Sequence, residues 1–201
     1  YHSFLQDMHN RQVMNNPEDS AVFFRLSIDI SVGMFEHEYQ NPNGSLDEAF
    51  LYIDALAKLV VLLVKFQGEH AGAVKANKPA YFSSILSSLV LVLNHHQVMR
   101  GEAFNQRVFF RLFSTILCEY SMAGFQHHEE HKGMIFALAN RLLSLQPKYM
   151  PGFVHGWLAL VSHRVFMSDM LNMPDREGWA PYCEIMQALL AYIGEQLKAA
   201  N

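Results

Sequence analysis

The sequence predicts an all-α fold built from HEAT-like helical repeats, and three observations support this prediction. Apolar residues recur every three or four positions almost everywhere along the chain, which is the spacing of one helix face. Strand signals are missing, because apolar and polar residues do not alternate steadily and no hairpin dipeptide separates β-branched runs. Val22–Leu26 recurs letter for letter as Val108–Leu112, 86 residues later. This offset is twice a period within the HEAT and armadillo range of roughly 40–47 residues, so we expect stacked pairs of antiparallel helices.

The composition is that of a folded chain with few charges. Of the 201 residues, 51% are apolar and 17% are charged, whereas soluble proteins average roughly 45–50% and about 25%. This hydrophobicity excludes intrinsic disorder. The shortage of charges has two explanations that the sequence leaves open: a large core, or a surface partly covered by a partner protein.

Local start and stop signals define three helices in the N-terminal part. The first is expected over about residues 1–14. The second begins at Asn16–Asp19, where an N-cap, a proline in the first helical position and first-turn acids follow one another. Asn41–Gly44 ends it, and Ser45–Glu48 forms a capping box that begins the third. The predicted buried stripes are Phe23, Leu26, Ile30 and Met34 in the second helix, and Leu46, Phe50, Ile53, Ala57, Val60 and Val64 in the third.

Five further helices are expected in the rest of the chain. They begin at Pro79, before Phe109, near Glu129, at Pro151 and near Trp179. For all of them except the helix near Glu129, the predicted buried stripes are, in chain order, Phe82, Leu86, Leu89 and Leu93; Phe109, Leu112, Ile116 and Tyr120; Phe153, Trp157, Leu160 and Met167; and Tyr182, Ile185, Leu189, Ile193 and Leu197. Cys118 and Cys183 lie within these patterns, so we expect both to be reduced core residues of an intracellular protein.

Two features bear on membranes and targeting. The stretch Pro79–Met99 lacks Lys, Arg, Asp and Glu over about the length of a membrane span. It contains four serines, an asparagine and the pair His95-His96, which favour a buried helix over a membrane helix. The chain begins at Tyr1 without a basic, apolar leader, so we expect no signal peptide and a fragment of a longer protein.

The charge distribution argues against direct nucleic-acid binding. The net charge is −4, and the 15 Lys and Arg residues are scattered along the sequence. Phosphate recognition needs clustered basic residues. A helical-repeat RNA-binding module is kept only as the alternative function. An RNA affinity that falls steeply as the salt concentration rises would support this alternative.

No catalytic centre, cofactor site or metal site is expected. The run His127–His131 resembles a zinc motif, but Lys132 stands where the zincin pattern requires a second histidine, so we expect a solvated turn and helix start. We expect structural roles for His95-His96 and for His163-Arg164. Neither cysteine has a histidine nearby in an obvious activating context, and the chain contains no Gly-x-Ser-x-Gly or phosphate-binding loop. An enzymatic alternative, a small all-α metal hydrolase, would require bound metal.

Three segments carry a family resemblance. Phe104–Ser114, Asp54–Val60 and the stretch Gln146-Pro147 followed by Pro151–Met167 resemble the C-terminal homology region of the Not-one family, the large scaffold subunit of the Ccr–Not deadenylase complex. The resemblance implies HEAT-like repeats and a non-enzymatic role. It also implies that residues 1–201 form one helical-repeat domain, a fragment of a larger C-terminal domain.

The resemblance further implies what such a scaffold holds. Its partners would be the Not-two and Not-three/five subunits, whose extended N-terminal segments wrap over the region, and peptide motifs of mRNA-binding repressors such as Nanos-like proteins. The expected processes are mRNA deadenylation, mRNA decay, translational repression and transcription regulation, in cytoplasm and nucleus. The deadenylase activity would belong to other subunits.

Partner-contacting residues are predicted only from side-chain type. The chain has 15 Phe, eight Tyr, two Trp and 11 Met, and aromatic and Met residues are favoured in grooves that receive partner side chains. A core Phe and a groove Phe have the same periodicity. The predicted partner-binding residues, on the last helices, are Trp157, His163, Arg164, Trp179 and Tyr182.

Overall fold

A computed structural model describes residues 3–4, 7–8, 11, 17–66, 77–123 and 128–200. All regular secondary structure in these ranges is helical, as the sequence predicts. The predicted first helix lies mostly outside the described residues, although residues 3–4 and 7–8 are helical. The longer helices are α1 (Pro17–Gln40), α2 (Leu46–Phe66), α3 (Lys78–Arg100), α4 (Gln106–Met122), α5 (His128–Ser144), α6 (Val154–Val161), α7 (Arg164–Leu171) and α8 (Trp179–Ala199).

A side-chain cap begins α2, as expected from the sequence, and a further cap that was not predicted begins α3. The Ser45 hydroxyl accepts the Asp47 amide at 3.3 Å before α2, and the Asn77 side chain accepts the Ala80 amide at 3.1 Å before α3. At its other end α3 stops at Gly101, whose φ of 51° lies in the left-handed region that favours glycine.

The helices alternate between two layers. In the first layer α1 packs on α3, α3 on α5, and α5 on α8; in the second, α2 packs on α4 and α4 on α6. α1 also packs on α2, which joins the layers, and α7 contacts α4, α5, α6 and α8. From α1 to α6 each helix contacts the next but one, which is the arrangement of stacked antiparallel helix pairs. The predicted all-α, HEAT-like architecture is therefore confirmed.

The core runs between the two layers and is rich in aromatic side chains. Phe24 and Phe35 of α1, Phe109 and Phe113 of α4, and Trp157 of α6 are almost completely buried. The predicted stripes of α3 and α4 are buried in full. In α2 the stripe is buried from Ile53 onwards, while Leu46 at the helix start is 48% exposed.

The predicted buried stripe of α1 is wrong. Leu26, Ile30 and Met34 are 56%, 59% and 44% exposed. The buried face carries instead Phe24, Ile28, Val32 and Phe35. α1 has apolar residues on both faces, so periodicity alone could not decide which face the other helices cover.

The prediction of one helix beginning at Pro151 is also corrected. The single helix expected from Pro151 through Met167 is a short 3₁₀ turn followed by α6 and α7, because the chain is extended at His163 (φ −62°, ψ 127°). The Ser162 hydroxyl donates back to the Leu158 carbonyl at 2.8 Å and helps to close α6.

α8 is covered on one edge only. Of its predicted stripe, Ile185 is buried, whereas Ile193 and Leu197 are 43% and 63% exposed.

Cys183 is exposed and Cys118 is half-buried, so the prediction that both cysteines are core residues is wrong. None of the described helices combines the length and the hydropathy that a membrane span needs.

Candidate protein-docking grooves

The first groove lies between α1 and α3 on the outer side of the first layer. We call it the α1/α3 groove; it has a volume of about 370 Å³. It is lined by Val22, Arg25, Leu26, Asp29, Leu91, Val92 and His95. Val22, Leu26 and Leu91 are each more than half exposed, at 54%, 56% and 57%. The groove therefore presents three large apolar side chains to solvent, with polar residues at its rim.

Two polar contacts between α1 and α3 hold the groove together. The buried His96 ring places Nε2 2.8 Å from Asp29 Oδ1. Glu36 forms an ion pair with Arg100. Burial raises the pKa of Glu36, and the nearby guanidinium opposes this increase. The structural role expected for the His95-His96 pair is confirmed for His96, while His95 is exposed and lines the groove.

Arg25 supplies positive charge at the rim of the α1/α3 groove. Its side chain is exposed, and it forms no ion pair with any residue within the described ranges. Asp29, also at the rim, is already engaged by His96. The rim therefore offers one guanidinium that an acidic group of another molecule can reach.

The second groove lies between α2 and α4 in the second layer, and we call it the α2/α4 groove. Its larger part, about 390 Å³, is lined by Asp54, Lys58, Phe110, Arg111, Ser114, Thr115, Cys118, Glu119 and His163. A neighbouring part of about 350 Å³ shares Lys58 and Glu119 and reaches Lys65 and Met122. Polar and charged side chains dominate the larger part, whereas the smaller part also has the apolar lining residues Val61, Leu62, Met122 and Ala123.

These charged groups are satisfied by one another. Arg111 donates from Nε and Nη2 to the two oxygens of Asp54 at 2.8 and 2.7 Å, and the Thr115 hydroxyl donates to the same carboxylate at 3.1 Å. The hydrogen bonds from Arg111 lower the pKa of Asp54. Lys58 lies 3.7 Å from Glu119, and Lys65 donates to the Ala123 carbonyl at 2.9 Å.

The structure brings Cys118 and His163 together, which sequence reasoning missed. The Cys118 Sγ and His163 Nε2 atoms are 3.9 Å apart, because the break between α6 and α7 places His163 beside α4. Burial lowers the pKa of His163, which favours the neutral imidazole. Among the described residues no group of three or more His, Cys, Asp or Glu side chains is arranged to hold a metal ion. The two residues are 45 positions apart, so no local pattern could have predicted their contact.

The five predicted partner-binding residues have different environments. Trp157 is fully buried, and its indole N–H donates to the Leu142 carbonyl at 2.7 Å. The Trp179 indole donates to the Leu171 carbonyl at 3.0 Å, and the Tyr182 hydroxyl donates to the Val161 carbonyl at 3.3 Å, so both attach α8 to the preceding helices. His163 lines the α2/α4 groove and Arg164 is exposed. Trp157 has no surface to offer a partner, whereas the other four are at least partly accessible.

The histidine-rich run at 127–131 is less solvated than expected. His127 lies outside the described residues. The His131 ring stacks on Tyr120 with centroids 5.3 Å apart, and its Nε2 lies 3.3 Å from Asp169 Oδ2. Glu130 pairs with Lys78 at 3.6 Å. The start of α5 is therefore tied to α3, α4 and α7 by contacts that the sequence did not reveal.

Comparison with known proteins identifies relatives for nearly the whole chain. The family described as "CCR4-Not complex component, Not1" matches residues 117–201. The general negative regulator of transcription subunit 1 of Saccharomyces cerevisiae is 29% identical over 191 residues, covering 88% of this chain.

Two solved structures have the same fold. The NOT1 superfamily homology domain from Chaetomium thermophilum matches 98% of this chain with 36% identity and a TM-score of 0.86. The Not1 C-terminal domain in complex with Not4 also matches 98% of this chain, with 25% identity and a TM-score of 0.80.

The match covers only part of each relative. The chain spans 8% of the length of the yeast protein, and 37% and 40% of the two solved chains. The names of these relatives describe a component of the CCR4-Not complex and a negative regulator of transcription, in agreement with the prediction that the chain is not an enzyme. The comparisons also confirm the resemblance inferred from the sequence, because this chain is similar to the C-terminal region of Not1 subunits.

Proposed function

We propose that this chain is a non-enzymatic scaffold segment of a Ccr–Not complex and that it docks other subunits. The observation that carries the proposal is the match to the Not1 C-terminal domain in complex with Not4, which extends over 98% of this chain. The two-layer stack supports it, because stacked helix pairs present long grooves to partner segments.

The candidate partners follow from the family resemblance, and the net charge of −4 argues against nucleic acid as a partner. A Not4-type subunit is the first candidate, because a related domain was solved with Not4. The Not2 and Not3/5 subunits and the peptide motifs of mRNA-binding repressors are further candidates on the family resemblance. Through them the chain would act in mRNA deadenylation, decay and translational repression, in cytoplasm and nucleus.

We also propose that residues 1–201 are part of one larger helical-repeat domain, since the chain covers 37% of the Chaetomium homology domain. Of the predicted contact residues, His163, Arg164, Trp179 and Tyr182 stay candidates. We leave out Trp157, because its side chain is fully buried.

Binding measurements with purified subunits test the proposal. The chain, and separately the natural full-length protein, would be immobilised and exposed to a Not4-type subunit, to a Not2–Not3/5 heterodimer and to single-stranded RNA at low and high salt. We expect saturable binding of at least one subunit and negligible RNA binding at high salt.

A full-length protein that shows a helical circular dichroism spectrum and binds none of these subunits would contradict the scaffold function. RNA affinity that falls steeply with salt, without subunit binding, would instead indicate the RNA-binding module.

A further inference from the structure

Among the described residues, the α1/α3 groove is left uncovered, because Val22, Leu26 and Leu91 are each more than half exposed. Within the described ranges α1 and α8 are the two end helices of the first layer, so a helix added to that layer would pack on the outer flank of one of them. The α1/α3 groove lies between two helices that are already neighbours, on the side away from the second layer. Its exposed apolar residues therefore need a cover from outside the stack.

The groove has the dimensions and lining of a site for one helix. Val22 and Asp29 mark its extent along α1, which is about two helical turns or about 10 Å at roughly 1.5 Å per residue. Two adjacent helices offer a trough in which the side-chain ridge of a third helix can pack. The apolar floor of Val22, Leu26 and Leu91 suits the apolar face of an amphipathic helix.

The charge at the rim specifies the partner further. Arg25 has no acidic partner among the described residues, and a guanidinium binds a carboxylate with good geometry. We propose that the α1/α3 groove binds an amphipathic helix of a partner subunit, with its apolar side chains between α1 and α3 and an acidic side chain paired with Arg25. This inference rests on the proposed scaffold function and names the surface and the partner chemistry.

The α2/α4 groove is a weaker site for such a helix. Its cations Arg111 and Lys58 are already engaged by Asp54 and Glu119. A partner would have to replace those ion pairs, and it would find fewer exposed apolar side chains there. Because the α1/α3 groove has more exposed apolar side chains and an arginine without an acidic partner among the described residues, we assign the amphipathic helix to it.

Four single variants of the full-length protein test the assignment. Leu26→Asp and Leu91→Asp place a carboxylate on each wall of the groove, and Arg25→Glu reverses the charge at its rim. Leu51→Asp is the matched control, because Leu51 is a similarly exposed leucine (62%) on α2 that lines neither groove. The probes are the Not4-type subunit and the Not2–Not3/5 heterodimer, and binding is measured by isothermal titration calorimetry.

We expect one of the two probes to bind the wild-type protein and to depend on the groove. Leu26→Asp and Leu91→Asp should each raise its Kd at least about tenfold, because docking would bury a carboxylate. Arg25→Glu should raise the Kd by about two- to tenfold. Leu51→Asp should leave the Kd unchanged, and thermal unfolding should show that all four variants are folded.

Two results would overturn the inference while leaving the scaffold function intact. The first is unchanged binding of both probes by Leu26→Asp and Leu91→Asp. The second is self-association of the wild-type protein that Leu26→Asp abolishes in sedimentation velocity, since the groove would then hold a second copy. Failure of the wild-type protein to bind either probe would overturn the scaffold function together with the inference.

Discussion

The Val-Phe-Phe-Arg-Leu copy in α1 exposes its first and last residues, Val22 and Leu26, to 54% and 56%. In the copy in α4, the corresponding Val108 and Leu112 are completely buried. The two helices have different surroundings: α1 lies in the first layer and packs on α2 and α3, whereas α4 lies in the second layer between α2 and α6. The 86-residue offset therefore does not relate equivalent helices of two repeats, although the repeat architecture itself is present.

The arginines of the two copies differ in the same way. Arg111 donates two hydrogen bonds to Asp54 and its guanidinium lies 5.3 Å from the centre of the Phe50 ring. Arg25 makes no ion pair with the described residues and stands at the rim of the α1/α3 groove. The same five residues are therefore mostly buried or ion-paired in α4, whereas in α1 three of them are exposed to solvent. The neighbours in the stack decide which role the five residues take.

The largest difference between the two copies should be in stability. Leu112→Ala removes a fully buried side chain, and we expect it to lower the free energy of unfolding by about 2–5 kcal/mol. Leu26→Ala, at the corresponding position of α1, should change it by less than about 0.5 kcal/mol. Urea denaturation followed by circular dichroism measures both. Similar losses for the two variants would show that Leu26 is covered, against the exposed groove described here.

Much of the fold could be predicted because helix periodicity and capping are local. The spacing of Phe82, Leu86 and Leu89 identifies the buried face of α3, and Gly101 marks its end. In α1 the same reasoning selected Leu26, Ile30 and Met34, because a second apolar stripe beginning at Phe24 competes with the first. The choice between the stripes depends on which helices pack against α1, and that information is not in the local sequence.

The second test compares adjacent histidines at the base and the rim of the α1/α3 groove. His96 is buried and hydrogen-bonded to the exposed Asp29, so His96→Ala should remove both that hydrogen bond and the packing of the buried ring against Phe109. We expect a loss of about 1–3 kcal/mol in the free energy of unfolding. His95→Ala, at the exposed neighbour, should change stability by less than about 0.5 kcal/mol. Thermal and urea unfolding of both variants measure the difference, and equal effects would contradict the structural role assigned to His96.

The candidate site was harder to predict than the fold. Aromatic side chains led the prediction to Trp157, which packs in the core and donates its N–H to a backbone carbonyl. The residues that line the α1/α3 groove are an arginine, an aspartate, a histidine and ordinary aliphatic residues, and the whole of α2 lies between Val22 and Leu91 in the sequence. The sequence of α1 did contain an indication of the groove, because Val22 and Leu26 belong to a second apolar stripe in addition to the stripe that is buried in the core. Only the packing of α3 against α1 shows that this stripe forms a groove.

The smallest expected effect distinguishes the two arginines. Arg111→Ala should lower the free energy of unfolding by about 1 kcal/mol at pH 7, since the ion pair with Asp54 is bidentate but partly exposed to solvent. Arg25→Ala should have no measurable effect on unfolding. Because Arg111 lowers the pKa of Asp54 in the folded state, its contribution should be complete above the usual Asp pKa of about 3.9 and should disappear as the pH falls through the lowered value.

Urea unfolding of the wild-type protein and of both variants between pH 7 and the lowest pH at which the protein stays folded measures this dependence. The stability difference between wild-type protein and Arg111→Ala should narrow below about pH 4, where the unfolded chain begins to protonate Asp54. Asp54→Asn serves as the control, because it removes the titrating group. The stability difference between the wild-type protein and Asp54→Asn should therefore narrow over the same pH range. A gap that stays constant down to the lowest pH would mean that Arg111 stabilises α4 through its contact with the Phe50 ring instead of through the carboxylate. In that case Arg111 would differ from Arg25 in its packing against an aromatic ring, and the ion pair with Asp54 would not explain the difference in stability between the two variants.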